Sequence, residues 1–157
     1  IDQVATPAEL FKAPASRFVA RFIGDNNIFT GNVLDATPQA DGQDLIKLEV
    51  EGIGSLYATG NGTQPGTEAA CCVRPDLLTL EPGEVAADGQ GLLNAITARI
   101  TQVELTGFVT RVALLATATG QPLLHTLRTV DAQSLALQEG QTVLLKWSAN
   151  DCVFLAH

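Results

Sequence analysis

The chain has 157 residues, and 9 Lys and Arg against 17 Asp and Glu leave a formal charge of −8 at neutral pH. That is one domain's worth of chain, or two small subdomains, and enough to bury a core without disulfides or a metal. Basic residues stand singly along an acidic chain with 5% aromatics, so nucleic acid and anionic membrane surfaces are poor partners.

The first 24 residues read as helical. Thr6, Pro7 and Glu9 form a helix start, with a capping hydroxyl, a proline at the first helical position and a carboxylate reaching back. Ala13-Pro14 ends it. Ser16 caps a second helix in which Phe18, Val19, Phe22 and Ile23 share one face, and Gly24 supplies the stop. This stripe needs a partner surface, either the chain's own core or another domain.

From Ile28 onward the hydrophobic period changes to two. Alternation and turn residues predict strands over 28–34, 45–50, 55–58, 68–73 and 77–80. A polar linker around 81–91 follows, then strands over 94–105, 108–118, 122–128, 142–147 and 152–155. Ala40-Asp41-Gly42, Gly60-Asn61-Gly62, Pro65-Gly66 and Thr119-Gly120 mark turns, and almost no helix is expected in this stretch.

The halves repeat. Gly66 precedes the closing Leu80 by 14 residues and Gly140 precedes Leu155 by 15, while Gly31-Asn32-Val33 and Arg99-Ile100-Thr101-Gln102-Val103 open corresponding strands. Two five-strand units of this loop density predict a mainly β fold of paired small Greek-key barrels of the oligonucleotide/oligosaccharide type (OB).

Catalytic and metal chemistry find no pattern. Lys12, Lys47 and Lys146 follow Phe11, Ile46 and Leu145, so there is no Gly-Lys-Ser/Thr phosphate loop, and Gly60-x-Gly62 reads as a turn because Pro65 stands where a third glycine belongs. His125 and His157 lack ligand spacing, and His125 reads as a structural or surface imidazole. Ser16, Ser55, Ser134 and Ser148 sit in no nucleophile elbow. Cys71, Cys72 and Cys152 lack C-x-x-C spacing; on a strand, one of the adjacent pair is expected inside and the other pointing elsewhere. Glu49 and Glu51 alternate with Leu48 and Val50, which places them on one strand face, wet or in contact with a cation or polyamine.

The opening residues Ile1-Asp2-Gln3-Val4-Ala5-Thr6-Pro7-Ala8-Glu9-Leu10-Phe11, then Pro14 through Gly24 and Asn27, closely resemble the stretch that closes the nucleotide-binding domain in ATPase subunits of bacterial ABC importers. In that family a C-terminal regulatory domain of the TOBE type follows, built from OB-like barrels. Asn27-Ile28-Phe29-x-Gly31-x-Val33, Val73-Arg74-Pro75-Asp76, Gly107 with Arg111-Val112, and Gly140-x-x-Val143 through Trp147 to Asp151 match its landmarks in order. Two departures are Arg74-Pro75-Asp76 in place of Arg-Pro-Glu, and Ala5 where glycine is common.

The resemblance, greatest to the spermidine/putrescine group with iron, phosphonate and sugar importers near it, implies a piece of a longer subunit. Residues 1–26 would be the tail of the nucleotide-binding domain. Residues 27–157 would be the regulatory domain, in halves of about 27–81 and 92–157 able to exchange strands. It implies a non-catalytic segment without cofactor or metal, ATP and Mg2+ belonging to the full-length subunit. The implied partners are a second ATPase subunit, two permeases and a solute-binding protein, at the cytoplasmic face of the inner membrane without insertion into it. Arg74, Asp76, Phe18 and Phe22 are the candidate interface or regulatory contacts. The alternative is a module for a small oxyanion such as molybdate or sulfate, against which the few lysines and the negative charge weigh.

Overall fold

The computed structural model describes residues 26–61, 63–83 and 93–155. Phe18, Phe22, both expected N-terminal helices and most of the expected linker lie outside them. The described chain runs β1 (Asn27–Pro38), β2 (Asp44–Val50), β3 (Gly54–Gly60), β4 (Glu68–Val73), β5 (Thr79–Pro82), β6 (Leu93–Thr106), β7 (Val109–Ala116), β8 (Pro122–Arg128), α1 (Thr129–Leu135), β9 (Thr142–Ser148) and β10 (Cys152–Leu155). Short 3₁₀ turns, Pro75–Leu77 and Ala149–Asp151, precede β5 and β10.

Strands β1, β2, β3, β10 and β4 close a five-stranded barrel, and β5, β9, β6, β7 and β8 form a five-stranded sheet in that order. The closing strand of the first barrel thus comes from the chain's end, while β5 leaves the first four strands and pairs with β9. A shift of 67 residues carries β1, β2 and β3 onto β6, β7 and β8, and one of 74 carries β4 onto β9. Val33 donates to Thr67 and accepts from Gly66, as Ile100 does with Gln141 and Gly140, and each strand bulges just past this point. Gly31 lies where a Cβ would meet the Glu49 carbonyl oxygen on β2, so only glycine lets the strands approach this closely.

The units share one apolar core. Phe29 of β1 stacks on Trp147 of β9 at 5.5 Å between ring centres, within a continuous cluster including Ile46, Leu48, Leu56, Ile100, Leu114 and Leu145. Two buried asparagines complete the junction. The Asn27 amide, at the start of β1, donates to the Leu124 carbonyl on β8 and accepts from the Leu124 N–H, both at 2.8 Å. Asn94, at the start of β6, does the same to Tyr57 on β3 at 2.8 and 2.7 Å. The same 67-residue shift relates one bracket to the other. Each satisfies an N–H and a C=O on the third strand of the opposite unit, a requirement for buried backbone.

Three differences from the sequence expectations have physical causes. The strand expected over 77–80 starts later, because Pro75 opens a 3₁₀ turn and pairing resumes only at Thr79. The helix α1 was not expected; it is seven residues long and stops on Ala136 in the left-handed region (φ 51°), with no glycine to announce its end. Cys71 and Cys72 do face opposite ways, yet both are buried: Cys71 enters the shared core, and Cys72 enters a smaller cluster with Ile28, Ala70 and Leu155. β4 is covered on both faces, so neither thiol points to solvent.

Burial pushes the Cys72 thiol up to about 12, with nearby Cys152 adding to the shift. Hydrogen bonding with Cys152, then burial, raises Cys71 as well. The thiols are therefore expected to resist alkylation at neutral pH until the chain unfolds, which timed labelling with and without denaturant checks. Asn94→Ala leaves a buried N–H and C=O of Tyr57 unpaired and is expected to cost about 2–3 kcal/mol in urea unfolding, with Asn27→Ala similar; a loss below about 0.5 kcal/mol would contradict the bracket.

Candidate functional site

In the first unit, β10 joins β3 through the pair Val153 and Thr59. The pseudo-equivalent closure in the second unit would join Thr79 of β5 to Thr126 of β8. Those strands are not paired, and both threonines line a cleft of about 460 Å³ between them. Leu78, Leu80 and Leu127 line its apolar wall; Asp76 borders it from the 3₁₀ turn; Arg128, Asp131 and Leu135 close it from the α1 side. The cleft is thus the unsealed seam of the second OB-like unit.

His125 on β8 fixes the turn that borders this cleft. It is 3% exposed, and its Nδ1 lies 3.0 Å from the Pro75 carbonyl. Because the carbonyl can only accept, Nδ1 carries the proton and donates, and neutral imidazole keeps its Nε2 lone pair. Burial lowers the imidazole pKa, against a smaller raising effect of the Pro75 bond.

The expected contact residues Arg74 and Asp76 come together across this same turn. Arg74 donates from Nε to Asp76 Oδ1 at 3.1 Å and from Nη2 to Oδ2 at 2.8 Å, a bidentate pair with both side chains largely in solvent. On the cleft's far rim, Arg128 holds Asp131 the same way at 2.9 and 3.2 Å. Arg128, which lines the seam, and Arg74, beside the adjoining 3₁₀ turn, are therefore each engaged by a carboxylate. Phe18 and Phe22 lie outside the described residues.

The carboxylates singled out in sequence, Glu49 and Glu51, share a second recess, of about 690 Å³, joined by Glu68 of β4 and by Asn32, Thr119 and Gln121. Glu51 sits in the turn just past the end of β2 rather than on the strand, and Ser55 donates to Glu49 at 3.4 Å. Among the described residues, no group of three His, Cys, Asp or Glu is arranged to hold a metal ion, and no helix is long and apolar enough to cross a membrane.

Residues 71–155 match the family model described as TOBE domain, just over half of the chain. The chain belongs to the TOBE domain family. It is 31% identical over 157 residues to the spermidine/putrescine import ATP-binding protein PotA of Rubrobacter xylanophilus, covering 99% of this chain and 38% of that protein. It is 30% identical over 159 residues to PotA of Treponema pallidum, covering 96% and 40% respectively. This TOBE chain therefore spans well under half the length of the curated relatives it matches. Among solved structures, the cytoplasmic molybdate-binding protein ModG with molybdate bound superposes with a TM-score of 0.71 at 16% identity, over 83% of this chain and 96% of that one. That likeness supports the fold of paired OB-like units.

Sequence reasoning placed Arg74 and Asp76 but missed His125 as the anchor of their turn and Asn27 and Asn94 as junction residues. The signal for the asparagines was present in the repeat, each standing at the first strand of its unit.

Because the folded-state pKa of His125 is depressed, the unfolded chain takes up the proton first as pH drops below about 6.5. Stability is expected to be little affected by this group above that value and to fall as the pH goes from about 6.5 toward 5. In His125→Gln that part of the pH dependence should vanish. Urea midpoints measured across the range decide it; a wild-type curve that rises on acidification, or an unchanged slope in the variant, would contradict the assignment.

Proposed function

We propose that the chain is the C-terminal regulatory and dimerisation domain of the ATP-binding subunit of an ABC importer, of the spermidine/putrescine group. The observation that carries this reading is the match of almost the whole chain to a 38% segment of a spermidine/putrescine import ATPase, at 31% identity. On this reading the catalytic parts, ATP and Mg2+ belong to the rest of the subunit. A second ATPase subunit, two permeases and a solute-binding protein are the partners, and the assembly sits at the cytoplasmic face of the membrane.

The role follows from mechanics. Two OB-like units tied by a common core and paired asparagine brackets form a stiff body, so movement at one end is carried to the other. A ligand or partner preferring one arrangement of two such bodies biases the opening and closing of the attached nucleotide domains, by as much as its preference and no more. Arg74 and Asp76, held against each other on a turn that His125 anchors, present a fixed polar contact for a neighbouring subunit. Phe18 and Phe22 are assigned to the nucleotide-domain side.

The alternative, an oxyanion module, shares the fold of the molybdate-binding protein. Against it stand the bidentate aspartates on Arg128, which lines the cleft, and on Arg74 beside the adjoining turn, and the net charge of −8.

The test has two arms. The purified 157-residue chain is expected to turn over no ATP and to show no thermal shift with molybdate or sulfate. An oxyanion present at about 100 times its Kd would raise the melting temperature by roughly 5–10 °C, which would favour the alternative. In the full-length subunit, deleting residues 27–157 is expected to leave ATP hydrolysis in place and to cut substrate uptake at least about tenfold. Unchanged uptake would overturn the reading.

A further inference from the structure

We infer that the outer half of the β6–β7 hairpin is the surface through which two copies of this chain associate, edge to edge along β6. The inference rests on the dimer-forming role proposed above, and names the surface that performs it.

β6 pairs with β9 only from Leu93 to Arg99, whereas its pairing with β7 continues to Thr106. From Thr101 outward, the edge of β6 away from β7 faces no strand among the described residues. An open edge of this kind is a template for another strand. The hairpin ends in the turn Gly107-Phe108, where Gly107 adopts φ +84° and Phe108 is 93% exposed. Leu105, Val109 and Val130 beside it are 60%, 44% and 59% exposed. This cluster is held in place: the Thr129 N–H donates to the Phe108 carbonyl at 2.7 Å, and the Thr129 hydroxyl donates to the Gly107 carbonyl at 2.7 Å. A rigidly presented aromatic loses little freedom on docking, which favours contact.

The molecule contains its own control. The pseudo-equivalent hairpin, β1–β2, also outruns its neighbour β4, past Asn32. Its outer edge carries Asp35 and Pro38, and its tip is Gln39-Ala40-Asp41-Gly42-Gln43, polar and exposed. Those residues oppose strand addition; the β6 edge, Thr101 to Thr106, has neither proline nor lysine, and its one charge, Glu104, is paired with Arg111 on β7. The backbone plan demands both hairpins equally, so their difference in side chains is not explained by folding.

The charges select a second copy as the occupant. Two chains of charge −8 repel, and contact is favoured where that excess is absent. Around the apolar tip, Glu104 lies 3.8 Å from Arg111, and Arg128 lies 2.9 Å from Asp131, so these four charges cancel. A strongly charged partner, or an anionic lipid surface, finds no complement there. Two antiparallel β6 edges related by a two-fold axis satisfy each other's backbone and bring both apolar tips into the contact.

Sedimentation equilibrium of the 157-residue chain tests this. The expected result is a dimer with Kd on the order of 10 μM, weakened at least about 30-fold by Phe108→Asp and by Leu105→Lys and unchanged by Ala40→Asp on the other hairpin. Both altered residues are solvent-exposed, so unchanged melting temperatures verify that the variants fold. A wild-type chain monomeric at about 300 μM, or a dimer indifferent to both substitutions, overturns the proposal. So does binding to phosphatidylcholine vesicles that Phe108→Asp abolishes while the chain stays monomeric. The assay involves no nucleotide or transport: a Phe108-dependent dimer beside unaltered uptake in the deletion test refutes the regulatory role and leaves the surface standing.

Discussion

Two amide side chains hold this structure's halves in register. Asn27 and Asn94 each reach from the first strand of one unit to the third strand of the other, and each satisfies a donor and an acceptor that the junction would otherwise bury unpaired. A buried asparagine at such a position specifies geometry as well as adding stability, because displacement breaks both of its bonds at once. Around this pair the exchanged strands and the Phe29–Trp147 stack create one core rather than two. A small five-stranded unit has little interior of its own, and sharing a core enlarges what each half buries.

The same symmetry makes its exceptions informative. One unit closes through β10, while the other leaves β5 and β8 unpaired around a cleft. One hairpin ends in polar residues and a proline, the other in an exposed phenylalanine. Where a duplicated plan departs from itself, folding alone does not account for the departure. The seam, with His125 on β8 and Arg74 and Asp76 at the turn it anchors, and the β6–β7 tip are the two places where that happens.

Much of the architecture was legible in the chain. Period-two alternation from Ile28, the glycine-marked turns and the spacing repeat gave the strands and their division into two units, because half-buried strands must alternate and tight turns need glycine. The details set by tertiary contacts were not. β1 extends to Pro38 because β2 continues to pair with it beyond the bulge. α1 is too short to show a period, and its αL stop falls on Ala136. Cys72 is buried in a cluster with Ile28, Ala70 and Leu155, drawn from three strands, which no local pattern reveals. Arg74 and Asp76 were visible as a turn flanking a proline, but His125 beneath them is distant in sequence, and its bond to Pro75 exists only once β8 is in place.

The central claim is that both units form one cooperative body. Trp147, the chain's single tryptophan, belongs to the second unit and stacks on a ring of the first, so its fluorescence reports the junction itself. The most direct test follows urea unfolding by tryptophan emission and by far-ultraviolet circular dichroism on one sample. A single shared midpoint is the predicted result. Emission that shifts well before the strand signal is lost would mean that the units part while each remains folded, and would contradict the account.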